Sequence, residues 1–239
     1  MPHVSETRIP ELPAVAPIVL AGRIAPIDER ERMSAIAKTP LESPWRVTRT
    51  GLAGDQQADQ KNHGGPEKAV HHYPFDHYRA WEAQIGEHAL LGAPGAFGEN
   101  LSTTGWTESK VHIGDIVRFG SAVLQVSQGR QPCWKLNARF SRRDMSMLTQ
   151  MSGRTGWYYR VIEEGEANPG DELRLVERLH ETWPLSRLIT LLYRDTRRYD
   201  ELAKMAEIAE LAAGWRALAT RRIEKHAVED WAPRLLGEV

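Results

Sequence analysis

The chain has 239 residues, of which 41% are hydrophobic and 26% charged, a composition typical of a globular protein with a packed core. Its 31 lysine and arginine residues balance 32 aspartate and glutamate residues, so the basic excess of a nucleic-acid-binding protein is missing. No apolar run is long enough to span a bilayer, and a single cysteine excludes an internal disulfide and a multi-cysteine metal site. We therefore expect a cytoplasmic enzyme or binding protein.

The first 180 residues read as short strands separated by turns rich in glycine and proline. Four prolines within residues 1–17 predict a loosely held arm, and this stretch lacks the sustained apolar core of a secretory signal. Residues 18–24 predict the first strand, and residues 33–38 predict an extended segment. Further strands are predicted over residues 69–73, 122–128, 157–162 and 173–176 and as a pair within 111–119, with helices over 74–86 and 144–151, the second having Met147, Leu148 and Met151 inward.

The pattern changes near residue 180, where helical periodicity replaces strands. Thr182 is a candidate N-cap for a helix whose apolar residues follow the i, i+3, i+4, i+7 spacing from Leu185 to Leu192. A second helix is predicted over residues 200–213 with Gly214 as its stop, and a third begins near Trp215. The sequence thus predicts a strand-rich domain followed by a small helical domain.

One stretch combines a strand with the single cysteine. Apolar and polar residues alternate from Ala122 to Val126, which is the pattern of a strand with two unlike faces. Pro132 fixes its own φ and favours extended geometry before it, so the turn that presents Cys133 is predicted to be stiff. Basic Arg130 and Lys135 flank this position, and nearby cations stabilise a thiolate. On this pattern alone, Cys133 is either a reactive thiol or a small buried hydrophobic residue.

Other polar positions carry two interpretations each. Lys38 ends an extended segment, and lysines ordinarily lie on the surface. The double glycine that begins at Gly64 either brings backbone N–H groups close to an anion or makes a simple turn. Glu99 and Asn100 are either polar anchors of a site or turn residues that bond their own backbone.

Several common catalytic motifs are absent from the sequence. Histidines crowd between His63 and His77, but they match no HExxH motif and have no second cysteine, which argues against zinc. The adjacent His71 and His72 are predicted to point to opposite faces of a strand. The sequence contains no GxSxG, GxGxxG or GxxxxGK[ST] motif, so a serine hydrolase and a Rossmann or P-loop nucleotide site have no support.

Four blocks of sequence, in this order, resemble the MOSC domain family: GLAGDQQADQKNHGGPEKAVHHYPFDHY, GAFGENLSTTGWTES, VHIGDIVRFGSAVLQVSQGRQPCWKLN and GRTGWYYRVIEEG. More narrowly, the chain is similar to the bacterial YiiM-type proteins, in which a three-helix domain follows the MOSC domain. The resemblance covers everything after the arm of residues 1–17. It implies a mainly β fold with α-helices: a MOSC β-barrel-like domain of the pyruvate-kinase-barrel kind over residues 18–180 and a three-helix domain over 181–239.

The resemblance also implies that the domain binds the molybdenum cofactor, a molybdopterin whose dithiolene sulfurs hold molybdenum. Cys133 matches the family's key cysteine and would supply a thiolate, in keeping with the preference of such metals for soft sulfur donors. Matching basic positions suit the pterin phosphate and ring, and polar positions in the HGG and GENL turns lie around the cofactor. The expected cofactor-binding residues are Lys38, His63, Gly64, Asn100, Arg130 and Cys133. The family often has proline where Gly129 stands, so this turn is expected to be somewhat looser.

The activity implied by the resemblance is the reduction of N-hydroxylated compounds, such as 6-hydroxylaminopurine to adenine. In this reaction R–NH–OH, two electrons and two protons give R–NH2 and water. The expected catalytic residues are Cys133 and His63, the second as proton donor because histidine titrates near neutral pH. The sequence shows no flavin, haem or iron–sulfur motif, so a separate reductase, a flavoprotein, is expected to supply the electrons. No nucleic-acid or membrane partner is expected.

Two other functions stay open. The protein could be a cofactor carrier without turnover, or it could transfer sulfur through a persulfide on Cys133, because MOSC domains also occur fused to cofactor sulfurases. The lack of a PLP-dependent desulfurase domain in the sequence argues against sulfur transfer. For the helical domain, the basic residues are interspersed with acidic ones, which favours packing or partner docking over DNA reading.

Overall fold

The computed structural model describes residues 12–59 and 64–237 of the chain. Short strands dominate its first three quarters, as the glycine- and proline-rich turns predict. In chain order the strands are β1 (Ile18–Gly22), β2 (Ala25–Pro26), β3 (Met33–Ser34), β4 (Lys38–Pro40), β5 (Trp45–Thr48), β6 (Gly51–Leu52), β7 (Val70–Pro74), β8 (Leu101–Thr103), β9 (Ile116–Phe119), β10 (Ala122–Gly129), β11 (Trp157–Glu163), β12 (Gly165–Ala167) and β13 (Leu173–Glu177).

Eight of these strands form one sheet in the order β13–β9–β10–β11–β7–β8–β1–β4. Its neighbours pair antiparallel except for β7 and β8, which are parallel. Within the described residues, β13 and β4 stay the two ends of this sheet, so its hydrogen bonds do not close a complete barrel. Smaller sheets are formed by β12–β5–β6 and by β2–β3. The sheet-rich architecture with added helices confirms the predicted fold class.

Strand β10 leads directly to the turn that contains the cysteine. Its apolar side chains Leu124 and Val126 are fully buried, as the alternation of the sequence predicts. The pairing of β10 with β11 shifts register between Val126 and Gln128, and such a bulge bends a strand and redirects the side chains that follow. The strand then ends at Gly129, so the Cys133 turn begins at the C-terminal end of β10, next to the start of β11.

The helices lie mainly at the C-terminal end. No helix among residues 12–59 and 64–237 is both long and apolar enough to cross a membrane. The α-helices are α1 (Asp76–Ile85), α2 (Lys135–Arg139), α3 (Met145–Ser152), α4 (Leu185–Tyr193), α5 (Tyr199–Ala206) and α6 (Ala213–Lys225), and single helical turns cover Pro66–Lys68, Ala89–Gly92 and Pro233–Gly237.

Two helices bury the faces that their sequence patterns predict. Helix α1 buries Tyr78 and Trp81 and ends at Gly86, whose φ of 86° suits glycine. Helix α4 buries its apolar stripe from Leu185 to Leu192. Its N-cap residue is Pro184 and not Thr182, so the predicted cap is wrong by two positions.

Helix α3 presents the opposite face from the predicted one. The side chains of Met147 and Met151 are 38% and 42% exposed, so two of the three residues expected inward point outward. The buried face instead carries Ser146, Thr149 and Gln150. The Ser146 hydroxyl donates to the Leu235 carbonyl, the Thr149 hydroxyl donates to the Met145 carbonyl within the helix, and the Gln150 side-chain oxygen accepts a hydrogen bond from Arg234. Small polar residues that meet another backbone can be buried where apolarity alone predicts exposure.

Two other predicted elements differ from the structure. Helix α5 ends at Ala206, so Ala209 is exposed, and Gly214 lies in the first turn of α6 instead of ending a helix. Of the strand pair predicted within residues 111–119, only β9 forms. The preceding residues make a turn in which the Asp115 carboxylate accepts the His112 N–H at 2.9 Å.

The predicted N-terminal arm extends beyond the described part of the chain. Residues 1–11 are outside the described residues, but residues 12–17 are held against the sheet. Val15 bridges Leu173, and the Trp106 indole N–H donates to the Pro13 carbonyl at 2.8 Å.

The sheet and the C-terminal helices share a hydrophobic core. One buried cluster contains Val126 and Trp157 from the sheet together with Leu188 and Trp215 from the helices. A Cβ at Gly129 would lie 2.8 Å from the Trp215 ring, so α6 packs directly on the end of β10. The predicted domain boundary near residue 180 stays a prediction.

Candidate functional site

Cys133 lies in a turn that is fixed at both ends. Before it, the Arg130 N–H donates to the Gly156 carbonyl at 3.0 Å, which ties the turn to β11. After it, the Leu136 N–H donates to the Cys133 carbonyl at 3.0 Å, so Cys133 begins the first turn of α2. The side chain is only 6% exposed. The stiff presentation predicted from Pro132 therefore has hydrogen-bonded support on each side.

Four of the predicted site residues line one cavity. Lys38, Asn100, Arg130 and Cys133 converge there from β4, the turn before β8 and the end of β10. All four are at most 6% exposed. The cavity is also lined by residues outside the predicted site: Lys68, His71, Phe97, Gly98, Lys135 and Tyr158.

Of the two remaining predicted residues, only Gly64 belongs to the described part of the chain. Gly64 comes shortly before the single helical turn Pro66–Lys68 and is not among the residues that line the cavity. His63 is outside the described residues, so its predicted role as proton donor stays a prediction.

Lys38 is held by a buried hydrogen-bond network. Its Nζ atom lies 2.5 Å from Asp55 Oδ2, and Asn100 Nδ2 donates to the same oxygen at 2.9 Å. The other oxygen of Asp55 accepts the Gly22 N–H at 2.7 Å. Burial lowers the pKa of Lys38, while the Asp55 carboxylate acts in the opposite direction. The general expectation that a lysine is solvated is therefore wrong at this position.

The Asn100 turn is built by its neighbour Glu99. The Glu99 carboxylate is completely buried and accepts the backbone N–H groups of Gly95 and Phe97 at 2.7 and 3.1 Å. It also accepts the Tyr78 hydroxyl at 2.5 Å. Glu99 is thus a turn residue that bonds its own backbone, which was one of its two predicted interpretations, and it fixes Asn100 at the cavity.

Two buried polar atoms face this region without a hydrogen-bond partner among the described residues: His71 Nε2 and Arg130 Nη1. The His71 Nδ1 atom lies 3.1 Å from the Gly98 carbonyl, which can only accept, so we assign the proton to Nδ1 and the free lone pair to Nε2. Burial, with the nearby charge of Arg130, holds the pKa of His71 well below its usual value. The side chain is therefore neutral and offers an acceptor.

His71 and His72 point to opposite faces of β7, as predicted for adjacent strand residues. His72 is fully buried on the far side, where its ring nitrogens lie 3.1 Å from the Tyr159 hydroxyl and 2.8 Å from Thr103 Oγ1. In the described parts of the chain, no three His, Cys, Asp or Glu side chains come close enough together to hold a metal ion.

Lys68 and Tyr158 are the site residues that sequence reasoning missed. Lys68 ends a single helical turn, and its pKa is lowered by burial against the opposing effects of Asp59 and Cys133. Burial raises the pKa of Tyr158, which therefore stays a neutral phenol beside Arg130. Only the alternation of β11 gave a signal for Tyr158, and a lone lysine in a loop gave none for Lys68.

The comparisons with known proteins agree with this architecture. Residues 59–174 match the MOSC domain, and residues 183–226 match the YiiM-like, 3-alpha helix domain. Protein YiiM of Escherichia coli (strain K12) is 39% identical over 220 residues, which are 92% of this chain and 97% of that protein. The crystal structure of YiiM from Escherichia coli aligns with a TM-score of 0.80 at 32% identity and covers 94% of this chain and 99% of that one.

A fungal protein is also similar. A protein of Gibberella moniliformis (strain M3125 / FGSC 7600) named "Reductase" is 40% identical over 183 residues, which are 76% of this chain but 32% of that protein. Taken with the matches above, the fold and the cysteine cavity define a MOSC-domain protein. Within that class, the chain belongs to the YiiM family, with the 3-alpha domain at its C-terminal end.

Proposed function

We propose that the protein is an oxidoreductase that uses the molybdenum cofactor to reduce N-hydroxylated compounds, with 6-hydroxylaminopurine as the model substrate. The observation that carries the proposal is the cavity around Cys133. It combines a buried thiol with buried cations and with two polar atoms, on His71 and Arg130, that have no partner in the described part of the chain. A buried polar atom without a partner costs free energy, so a site that keeps two of them is built for a ligand.

The residues fit the molybdenum cofactor. The chain supplies one thiol to the cavity, and a molybdopterin brings its own dithiolene sulfurs to complete a sulfur-rich metal site. Lys68 and Arg130 line the cavity with positive charge, which a phosphate needs, while the charge of Lys38 is balanced by Asp55. The neutral Nε2 of His71 accepts a hydrogen bond, while Arg130 Nη1 donates one, which matches the mixed donors and acceptors of a pterin edge.

When bound, the cofactor supplies a centre that takes up and releases the two electrons of the reduction. The chain's own residues hold and orient it. Cys133 is presented by a turn that is bonded to β11 and α2, and Lys38 and Asn100 are fixed through Asp55. These groups are nearly fully buried, so the surrounding protein restricts their positions.

The reaction also needs two protons and an electron source. His63 is the proposed proton donor to the departing nitrogen, because histidine exchanges protons near neutral pH. The electrons are proposed to come from a separate flavoprotein reductase. The name of the fungal relative supports the oxidoreductase class, and the chain corresponds to about a third of that protein.

The proposal is tested with full-length protein produced in a host that makes the molybdenum cofactor. Wild type is expected to carry near-stoichiometric molybdenum and molybdopterin and to reduce 6-hydroxylaminopurine with a reduced viologen dye as electron donor. Cys133→Ala is expected to lose turnover and metal, and Arg174→Ala, on an exposed strand position, serves as the matched control.

Each alternative function gives a different result in this experiment. Cofactor bound without turnover of any N-hydroxylated compound would favour a carrier. A cyanide-labile sulfur on Cys133 would favour sulfur transfer. Wild type without molybdenum and pterin, in a host that loads a known molybdoenzyme, would overturn the proposal.

A further inference from the structure

The C-terminal segment, residues 231–237, returns to the Cys133 turn from about a hundred positions away in sequence. Leu235 is buried, and its carbonyl accepts the Asn137 side-chain N–H at 2.7 Å and the Ser146 hydroxyl at 2.8 Å. Gly237, with a φ of 65°, lies so close to Trp134 that a Cβ there would be 2.3 Å from the ring atom Cγ. The segment is thus packed on the residue that directly follows the cysteine.

A single residue of this segment bonds both peptide groups that flank Cys133. The Arg234 guanidinium donates to the Pro132 carbonyl, which belongs to the peptide group before Cys133. The Arg234 carbonyl accepts the Trp134 N–H at 2.9 Å, which belongs to the peptide group after it. Rotation of either peptide group would break one of these bonds, so together they restrict the backbone that carries the thiol.

The Arg234 side chain is itself held in place. Its Nη2 atom donates to Gln150 Oε1 at 2.6 Å, and its guanidinium lies 5.9 Å from the centre of the Tyr193 ring. The planar guanidinium can bond two acceptors at once in a fixed geometry, which a lysine cannot do. Helix α3, through Gln150, and helix α4, through Tyr193, therefore orient the group that holds the cysteine turn.

The same residue lines a second cavity beside the thiol. This cavity has a volume of about 390 Å³ and shares Lys68, Cys133 and Tyr158 with the first. Trp134 and Arg234 form other parts of its wall. Its volume is in the range of small-molecule sites, so a small molecule can approach Cys133 from the side that Arg234 borders.

We propose that Arg234 is a positioning residue for Cys133, through which the C-terminal segment fixes the cysteine turn and borders the second cavity. The proposal takes from the proposed function only the statement that Cys133 is the functional thiol. It places the segment that follows the YiiM-like, 3-alpha helix domain of residues 183–226 at the cysteine turn of the MOSC domain. The C-terminal helices then belong to the functional site and are not an independent appendage.

The test uses the single cysteine as a probe in the full-length, cofactor-free chain. Labelling with [3-13C]cysteine gives one methylene signal, because the chain contains one cysteine. In Arg234→Ala this signal is expected to shift and to broaden or split at fixed pH. Alkylation of the buried thiol by iodoacetamide is expected to become at least about fivefold faster, the factor that loss of a single hydrogen bond gives a local opening equilibrium.

Conservative and control variants separate positioning from general destabilisation. Arg234→Lys keeps the charge but carries its donors on a single nitrogen, which lacks the rigid fork that bonds Pro132 and Gln150 through two nitrogens, so it is expected to fall between wild type and Arg234→Ala. Arg174→Ala changes an exposed arginine on strand β13 and is expected to leave the cysteine signal and the alkylation rate unchanged. In loaded enzyme, Arg234→Ala is expected to lower kcat as well as raise KM, because the thiol and the cavity wall both change.

A folded Arg234→Ala with the wild-type cysteine signal and alkylation rate would overturn the proposal. If that variant does not fold, Gln150→Leu removes the acceptor that orients the guanidinium while Arg234 remains, and an unchanged cysteine signal there would overturn it equally. Both readouts are taken without cofactor or substrate. Failure of the reductase function would therefore leave this test intact.

Discussion

The ammonium of Lys38 and the carboxylate of Asp55 form an ion pair of 2.5 Å with side chains only 2% and 6% exposed. The carboxylate also accepts hydrogen bonds from the Gly22 N–H and the Asn100 side chain. This buried network joins β1, β4 and the turn before β8 at the wall of the cavity. A cation is therefore kept at the site at the cost of desolvating two charges, which a purely structural core would avoid.

Lys38→Met is expected to lower the free energy of unfolding by about 3–5 kcal/mol, because it leaves the Asp55 carboxylate buried without its counter-ion. Lys38→Met combined with Asp55→Asn is expected to lose less than the sum of the two single changes, as measured by urea unfolding. Lys204→Met is the control, because its pair with Glu201 leaves the lysine 60% exposed, and exposed pairs contribute about 1 kcal/mol or less. A Lys38→Met variant as stable as the control would contradict the assigned role.

The sequence was sufficient for elements in which local pattern and burial agree. The apolar stripe of α4 is confirmed, because one period decides which side chains meet the core. The strand predicted at β10 also forms, although both of its faces are buried where the alternation predicts two unlike faces. Cys133 could be singled out for the same reason: it directly follows such an element.

Contacts between distant parts of the chain were not predictable. Lys38 reads as a surface residue until the fold brings Asp55 to it from 17 positions away. The buried face of α3 is polar because Leu235 offers its carbonyl to Ser146, and nothing local indicates this partner. Arg234 and Pro132 are likewise brought together although they are 102 positions apart in sequence. Sequence pattern gives the elements, and only tertiary packing gives these pairs.

The free energy of unfolding is expected to decrease as the pH is lowered, because His72 is buried as the neutral imidazole. Burial lowers the pKa of this histidine from 6.5 to about 3. Between these two values the unfolded chain binds a proton that the folded chain does not, so each pH unit lost removes about 1.4 kcal/mol from the free energy of unfolding, while above pH 6.5 the contribution is constant. In His72→Gln, urea unfolding between pH 6 and 4.5 is expected to depend less steeply on pH by this amount. Equal slopes in the two proteins would refute the assignment.

Gly129 is expected to be required for docking of α6. Its Cβ position lies 2.8 Å from the buried Trp215 ring, so Gly129→Ala is expected to cost about 1–3 kcal/mol, as overpacking does elsewhere. Gly214→Ala is the matched control: a Cβ there meets nothing within 4 Å among the described residues, and the change is expected to be neutral or slightly stabilising. Urea unfolding of both variants, and of Gly129→Ala with Trp215→Leu as a rescue, measures the difference. No loss in Gly129→Ala would show that the helix can shift freely.

Replacement of Arg130 is expected to change the free energy of unfolding and the retention of the cofactor in different ways. Arg130 is buried, and in the described part of the chain its Nη1 atom has no hydrogen-bond partner. In the cofactor-free protein, the free-energy cost of removing this atom from water is therefore not offset by a hydrogen bond. Arg130→Met, of similar length and without charge, is therefore expected to leave the free energy of unfolding of the cofactor-free chain unchanged or higher, while molybdopterin retention falls at least about tenfold, the effect of losing one charged hydrogen bond to a ligand. Urea unfolding and pterin content, measured on the same preparations, test both halves. A loss of stability comparable to that of Lys38→Met would instead show that Arg130 stabilises the fold. A residue that is retained for ligand binding is expected to make the cofactor-free protein less stable, so its replacement should not lower the free energy of unfolding.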